Sequence, residues 1–370
     1  MLRLCDVLDM QIIEVSGSHR QMGAAFGEAC RQDVQGLYEA RVLNAIEQAK
    51  TYGGRSVTEG HLIQIAKTSL PIVKDYHPAG LEELEGIAEG SGLGLHRVWV
   101  MNALTDLRDI AAFADVTLWA APVDGEGCSS FILKGESSGD GTGFVGQTWD
   151  LSTSNMPFMR IVKRRPTDGP ATVCLTTVGC LSLIGMNEHG VSVGTTNIRT
   201  VDARKGVCYL DIIHHALHQR GLEPAIRVMT EAPRAGAHYF YVMDGQGHAV
   251  GLECSAQQHT RIDVRSGHYV HCNHVLEDHN RSLEAQGTPV ESSMHRQGRL
   301  STLLSDPDRR PGALELQSFL GDHDGEERAI CRHGFNGISS NASVIMNPEA
   351  RRLWTVHGPA CEGRWTEHQL

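Results

Sequence analysis

At Cys128 the spacing of apolar residues changes character. Before that point they recur at helical spacing over 21–46, 61–73, 81–88 and 95–107, interrupted by Pro71 and Pro78. After it they alternate over 144–149, 159–163, 171–177, 190–198, 238–243 and 269–273, which predicts strands. Helical spacing returns over 209–219, 223–230, 292–304 and 314–320, and strands are expected again over 342–346 and 352–356. A helical opening followed by mostly antiparallel strands with inserted helices suits two packed sheets covered by helices, an α+β architecture. With no internal repeat, low-complexity tract or Pro/Ser-rich linker, the reading is one domain over 1–370. It comprises a helix-rich segment, 1–127, and a strand-rich segment, 128–370, with 120–127 as a connecting loop.

Composition narrows the class of function. Lys and Arg number 33 against 44 Asp and Glu, a net charge of −11, which argues against a nucleic-acid surface built on clustered cations. The basic knot Lys163-Arg164-Arg165-Pro166 reads as a solvated hairpin end. Hydrophobic residues make up 41% and charged ones 21%, ordinary for a chain that can bury a large core without disulfide staples. Its ten cysteines are scattered, with no Cys-x-x-Cys pair, so free thiols in a reducing compartment are expected. The first nine residues carry two acids and no apolar core, and no stretch approaches the roughly 20 apolar residues of a bilayer span. A cytoplasmic protein with no membrane partner is the expectation.

The chemistry concentrates at Gly127-Cys128-Ser129-Ser130. The following Phe131-Ile132-Leu133-Lys134 predicts a strand, and a turn containing Gly139, Gly141 and Gly143 leads to a second strand ending at Asp150. A thiol would thus open one strand of a hairpin and a carboxylate would close the other. An ordinary thiol is only a few per cent thiolate near neutral pH and needs a base. Cutting the Gly127–Cys128 bond would supply one, because an α-amine with a pKa of about 7.7–8.0 would then sit on the same residue as the thiol. Gly127, lacking a side chain, permits close approach to that bond. A buried structural cysteine is the competing reading.

Further stretches carry a resemblance. In order they are Leu84-Glu85-Gly86-Ile87-Ala88-Glu89-Gly90 with Asn102, Gly127-Cys128, Gly146-Gln147-Thr148-Trp149-Asp150, and Ile184-Gly185-Met186-Asn187-Glu188-His189-Gly190-Val191. Cys272-Asn273-His274, Ile330-Cys331-Arg332-His333 and Val344-Ile345-Met346-Asn347-Pro348 complete the set. Together they resemble the isopenicillin-N acyltransferase-like family, also called acyl-coenzyme A:6-aminopenicillanate acyltransferases. One departure is Thr148, where that family often has Asn. The resemblance implies a four-layer αββα sandwich and a self-cleaving N-terminal-nucleophile hydrolase or acyltransferase. Cys128 would be the nucleophile, released by cleavage after Gly127, and the two chains would stay associated. Asp150 would orient the amine or anchor a guanidinium, with Arg332 as its partner. Asn273 would supply an oxyanion donor. Asn197, at the end of the strand expected over 190–198, is a further candidate, for holding substrate or backbone near the nucleophile. The implied substrate is a small N-acyl amide or an acylated amino acid or amine, with no cofactor.

Other chemistries fit less well. His214 and His218 share a helix face, but Leu210, Ile213 and Leu217 form its core stripe, so their rings are expected in solvent and no metal is expected. A zinc hydrolase built there stays open as an alternative, as does an uncut, non-catalytic binding protein of the same fold. In His271-Cys272-Asn273-His274, strand alternation sends His271 and Cys272 to opposite faces. The hairpin glycines precede no helix and make no dinucleotide site. Ser129 and Ser130 lack the Gly-x-Ser-x-Gly elbow of a serine hydrolase.

Overall fold

The computed structural model describes residues 10–54, 56–113, 127–285, 290–306 and 308–370. The expected loop up to residue 126 and the first nine residues lie outside the described residues. The chain opens with a strand the spacing did not reveal, β1 (Ile12–Gly17), which pairs in parallel with β4. The helical stretch expected over 21–46 is two helices, α1 (His19–Ala29) and α2 (Arg31–Gly53), broken at Cys30, whose backbone leaves helical geometry. α3 (Glu59–Tyr76), α4 (Pro78–Ser91) and α5 (Leu95–Phe113) follow; Pro78 sits at the first turn of α4, where its missing N–H costs nothing.

The Leu84–Gly90 motif turns out to be a packing device. α1 crosses α4 so closely that a Cβ on Gly86 would stand 2.1 Å from the Arg20 carbonyl oxygen, and one on Gly23 2.1 Å from that of Glu83. Asn102 on α5 pins the turn after β5, accepting from the Leu181 N–H at 2.9 Å and donating to the Gly179 carbonyl at 3.1 Å.

Beyond residue 127 the strands form two sheets. They are β2 (Ser130–Leu133), β3 (Phe144–Ser152), β4 (Met159–Pro166), β5 (Thr172–Thr177), β6 (Ile184–Asn187) and β7 (Ser192–Asn197), then β8 (His238–Met243), β9 (Ala249–Cys254), β10 (His259–Val264) and β11 (His268–His271). α6 (Tyr209–Leu217) and α7 (Leu222–Glu231) lie between β7 and β8; α8 (Asp278–Arg281), α9 (Glu291–Leu304) and α10 (Ala313–Leu320) follow β11. β12 (Ile338–Asn347), β13 (Arg352–His357) and β14 (Thr366–Gln369) close the chain. One sheet runs β1-β4-β5-β6-β7-β8-β9-β10 and the other β11-β2-β3-β12-β13-β14.

Side-chain alternation fixes the layering. On the six-stranded sheet Ile132, Val145, Trp149, Val344 and Met346 face the other sheet and join its core. Phe131, Leu133, Phe144 and Ile345 face the opposite way, onto Leu300 and Leu304 of α9 and Leu316 and Leu320 of α10. The eight-stranded sheet buries its outer face under α1 to α7. The order is helices, sheet, sheet, helices, which is the αββα sandwich the resemblance implied.

Two surface readings are corrected. Arg164 is not solvated: β4 turns it inward, 2.7 Å from the buried carboxylate of Glu83 on α4. The α6 histidines are not in solvent either. His214 is buried, and the His77 ring stacks on His215 at 4.4 Å, because α3 and α4 cover that face of α6.

Candidate active site

β2 and β3 form the expected hairpin, with Ser130 opposite Gln147 and Leu133 opposite Phe144. Its ends are shifted: β2 begins at Ser130, two residues after Cys128, and β3 continues two residues past Asp150 to Ser152. Asp150 therefore lies inside a strand, flanked by β12 at the bulge between Ser340 and Ala342. The extra pairing carries the junction itself, since the Gly127 N–H donates to the Asp150 main-chain carbonyl at 3.2 Å.

Cys128 is buried and held at both backbone poles. Its N–H donates to Asn273 Oδ1 at 2.7 Å, and its carbonyl accepts from Arg296 Nη1 at 2.5 Å. Arg296 also donates to Ser129 Oγ at 3.0 Å and, through Nη2, to Asn273 Oδ1 at 3.0 Å. Two donors on one oxygen fix the orientation of the Asn273 amide, because a flipped NH₂ would face both of them. The amide nitrogen donates to the main-chain carbonyl of Asn197 at 2.9 Å. Asn273 is itself positioned by Ser293 of α9, whose Oγ accepts from its N–H at 2.7 Å.

Asp150 has no exposure to solvent, and burial pushes its carboxyl up to about 6 against the pull of the Arg296 and Arg332 guanidiniums. Its Oδ1 accepts from Ser340 Oγ at 2.8 Å and its Oδ2 from Thr148 Oγ1 at 3.3 Å. Thr148 also accepts from the Ser129 N–H at 3.1 Å, so this threonine links the residue after Cys128 to the carboxylate. Arg332 is fastened to β12: its N–H donates to Ser340 Oγ at 3.0 Å and its carbonyl accepts from Ser339 Oγ at 3.0 Å. A Cβ on Gly127 would stand 2.8 Å from Arg296 Nη2 and 3.0 Å from Arg332 Nη1.

The five residues singled out for chemistry, Cys128, Asp150, Asn197, Asn273 and Arg332, thus converge on one end of the sandwich. Cys128, Asp150, Asn197 and Asn273 line a narrow cleft, walled also by Trp149, Leu151 and Tyr209. Asn197 Oδ1 is buried there with no hydrogen-bond partner among the described residues. A larger cleft on the eight-stranded sheet, lined by Lys134, Glu223, Asp244 and Arg261, contains none of these residues.

Sequence reasoning missed two participants. Arg296 lies within the helix expected over 292–304, where no local motif marks it. Its signal was positional: it shares the buried face of α9 with Ser292, Ser293, Leu300 and Leu304, where small serines leave room for a guanidinium. His238 opens β8 inside the cleft, its Nε2 2.9 Å from Asp106 Oδ1 and its ring stacked on Tyr209 at 4.2 Å. Asp106 also accepts from the Tyr209 N–H at 2.8 Å. No local motif announces that pair, since three separate elements build it.

A family model described as Acyl-coenzyme A:6-aminopenicillanic acid acyl-transferase matches residues 137–359. The match includes Asp150, Asn197, Asn273, Arg296 and Arg332 and begins downstream of Cys128. The chain is 25% identical over 318 residues to the acyl-coenzyme A:6-aminopenicillanic-acid-acyltransferase 40 kDa form of Emericella nidulans, covering 80% of this chain and 78% of that protein. Similar solved structures include a variant of the conjugated bile acid hydrolase from Clostridium perfringens, at 11% identity and a TM-score of 0.43, covering 66% of this chain and 97% of that one. Penicillin V acylase from Agrobacterium tumefaciens is similar at 10% identity and a TM-score of 0.39, covering 66% of this chain and 86% of that one.

Proposed function

Because the chain belongs to the acyl-coenzyme A:6-aminopenicillanic acid acyl-transferase family, we propose that it is made as a precursor, cuts its own Gly127–Cys128 bond, and then uses Cys128 as an N-terminal nucleophile. In the first step the Cys128 thiol adds to the Gly127 carbonyl and the Cys128 nitrogen leaves as an amine, which takes up a proton. Water then hydrolyses the Gly127 thioester, giving a Gly127 carboxylate and a free thiol beside a free α-amine. In turnover that amine accepts the thiol proton as sulfur attacks the acyl carbonyl of the substrate. The acyl thioester on Cys128 passes to water or to an amine.

The observation that carries this reading is the grip on the Cys128 backbone. Its nitrogen, the future amine, faces Asn273 Oδ1 at 2.7 Å, and its carbonyl faces Arg296 at 2.5 Å. Both contacts survive cutting of the bond before Cys128, so they can hold the new N-terminus in place. Asp150 balances the charge of Arg296 and Arg332 beside the junction. One N–H of Asn273 is engaged by Asn197; an amide carries a second N–H, which would donate to a tetrahedral oxyanion. The mixed lining of the cleft, apolar at Trp149, Leu151 and Tyr209 and polar at Thr105, Thr195 and Asn197, supports a small N-acyl amide, or an acylated amino acid or amine, as substrate. The two chains would remain together, since β1 is paired with β4 inside the eight-stranded sheet and the apolar faces of α1 to α5 share the core of that sheet.

Intact-mass measurement of the purified protein tests the reading. Fragments 1–127 and 128–370 are expected from the wild type and one intact chain from Cys128→Ala. An uncut wild-type chain that is also inert to thiol reagents would leave a binding protein of the same fold as the better account.

A further inference from the structure

Behind Arg332, on the side away from the cleft, four side chains converge. His323 follows α10, Cys331 and His333 flank Arg332, and Cys361 lies in the turn between β13 and β14. One donor atom from each belongs to a group whose members all lie within 4.8 Å of one another. His333 Nε2 is 2.9 Å from His323 Nε2, 3.6 Å from Cys331 Sγ and 3.3 Å from Cys361 Sγ, and the two sulfurs are 3.7 Å apart.

These spacings match a particular geometry. With Zn–S of about 2.3 Å and Zn–N of about 2.0–2.1 Å, tetrahedral ligands stand roughly 3.8 Å apart for two sulfurs and roughly 3.6 Å for sulfur and nitrogen. A disulfide would instead bring the sulfurs to about 2.05 Å. The Nε2 atoms of His323 and His333 lie closer than the roughly 3.4 Å expected of two zinc-bound nitrogens, a difference that a small turn of either ring removes. The far side of His333 is also prepared. Its Nδ1 lies 3.3 Å from Glu362 Oε1, which favours the tautomer that leaves Nε2 as a ligand.

We propose that His323, Cys331, His333 and Cys361 form a tetrahedral Cys₂His₂ zinc site, closed by four protein ligands and therefore structural. The expectation of no metal came from weighing the α6 histidines and the absence of Cys-x-x-Cys spacing. These ligands escape that search because three separate segments supply them. The ion would staple the end of α10, the strand-entry loop before β12 and the β13–β14 turn. Arg332 sits between two of its ligands, so the site would act as a positioning device for that guanidinium. The same loop is already braced: the Cys331 N–H donates to the Asp322 carbonyl at 3.0 Å, and Arg299 of α9 holds the Asp322 carboxylate at 2.7 Å.

The test is metal content and coordination, read on the full chain bearing Cys128→Ala as well as on wild type, so that it stands apart from self-cleavage. Protein purified without chelator should carry about one zinc per chain, as a closed four-ligand site predicts. After removal of the zinc, Co(II) should restore one equivalent and show the visible absorption and thiolate charge-transfer bands of a tetrahedral thiolate site. Cys361→Ser and His323→Ala should each lose the stoichiometric metal. The cobalt spectrum of the unaltered site stands even if a variant folds poorly. Failure of metal-free protein to take up zinc against a chromophoric competitor would overturn the proposal. So would full zinc retention in a Cys361→Ser, His333→Ala double variant, or a Cys331–Cys361 disulfide in protein isolated under reducing conditions.

Discussion

Arg296 Nη1 lies 2.5 Å from the carbonyl oxygen of Cys128, reaching it from α9, 168 residues further along the chain. The guanidinium binds the Cys128 carbonyl, Ser129 and Asn273 at once. It fixes both the Cys128 backbone and the amide that receives the Cys128 nitrogen. Lys cannot reproduce that fork. Arg296→Lys is expected to lose at least one charge-assisted hydrogen bond, worth about 1.5–3 kcal/mol. Self-cleavage should slow by roughly 10- to 100-fold, followed as the decay of intact mass with time. Processing at the wild-type rate would show that the arginine only packs.

Gly127 is confined by the same cations. A methyl group there would approach Arg296 Nη2 to 2.8 Å and Arg332 Nη1 to 3.0 Å, and both guanidiniums are buried. Gly127→Ala should therefore push one of them off station, at an overpacking cost of about 1–3 kcal/mol. The expected result is a folded chain with a lower denaturation midpoint and delayed cleavage. Unchanged stability and unchanged cleavage together would remove the steric argument.

Asp150 gives the site a pH dependence. Its carboxyl is pushed up to about 6, above the ordinary value near 3.8, chiefly by burial. If the ionised form balances Arg296 and Arg332 during catalysis, activity of processed enzyme should rise as pH passes through about 6. Asp150→Asn should be processed slowly and lack that limb. The stability effect has the opposite sense. A raised folded-state value stabilises the fold below about pH 4 and loses that contribution as pH rises through about 6. The melting temperature of Asp150→Asn should therefore gain on that of wild type between about pH 4 and about pH 7. A constant difference across that range would mean that Asp150 is not held protonated by burial.

The layers were legible because apolar periodicity carries them. β8 was read to the residue, and α3, α4 and α6 within about three residues at each end, because each combines a buried stripe with a clear stop. α5 instead runs to Phe113, well past the expected end at 107. β1, β6, β9, β10 and β14 were not seen. β10 is an edge strand whose outward residues, including Arg261 and Asp263, are polar, and β9 places Gly251 where the Tyr239 ring packs. Partner strands, not local sequence, define such elements. The site divides in the same way. Cys128, Asp150 and Asn273 stand next to strands that the pattern reveals. Arg296, His238 and Asp106 come from three elements that meet only in space. Arg164 was misread for a related reason: a run of cations looks solvated until Glu83 arrives from another helix.

A buried histidine cluster should make the fold acid-sensitive. His215 is lowered to about 4 and His77 to about 3, His214 and His218 are lowered as well, and burial is the main cause for each. Asp211 opposes them, raised to about 7 by burial, with its Oδ1 2.5 Å from His77 Nδ1. Those two roughly cancel, which leaves three histidines that bind protons more readily when unfolded. Glu83 is lowered, mainly by Arg164 against the cost of burial, and contributes only at lower pH. Stability from the histidines is full above about pH 6.5 and is lost as pH falls toward about 4. Denaturant midpoints measured across that window should fall with acidification, and His215→Asn should flatten the slope. A midpoint independent of pH would mean that the cluster admits water.

Asn273 meets the Cys128 nitrogen through one end of its amide and the Asn197 carbonyl through the other. Its Oδ1 holds the Cys128 nitrogen, and its Nδ2 already has one partner in the Asn197 carbonyl. Removing the side chain should therefore do two things. The Cys128 nitrogen and Arg296 Nη2 lose a shared acceptor, so precursor cleavage should slow. In molecules that do cleave, a missing oxyanion donor should lower kcat by roughly 10²–10³ with little change in KM, because such a donor acts in the transition state. The measurement is kcat and KM on any N-acyl substrate that wild type turns over, with intact mass used to count processed molecules. Asn273→Asp separates the two roles. It keeps an acceptor for the nitrogen and for Arg296 but has no N–H to offer. Normal cleavage with low kcat in Asn273→Asp would isolate the oxyanion contribution. Raised KM with kcat preserved in fully processed Asn273→Ala would instead mean that Asn273 grips substrate, and the donor role would be withdrawn.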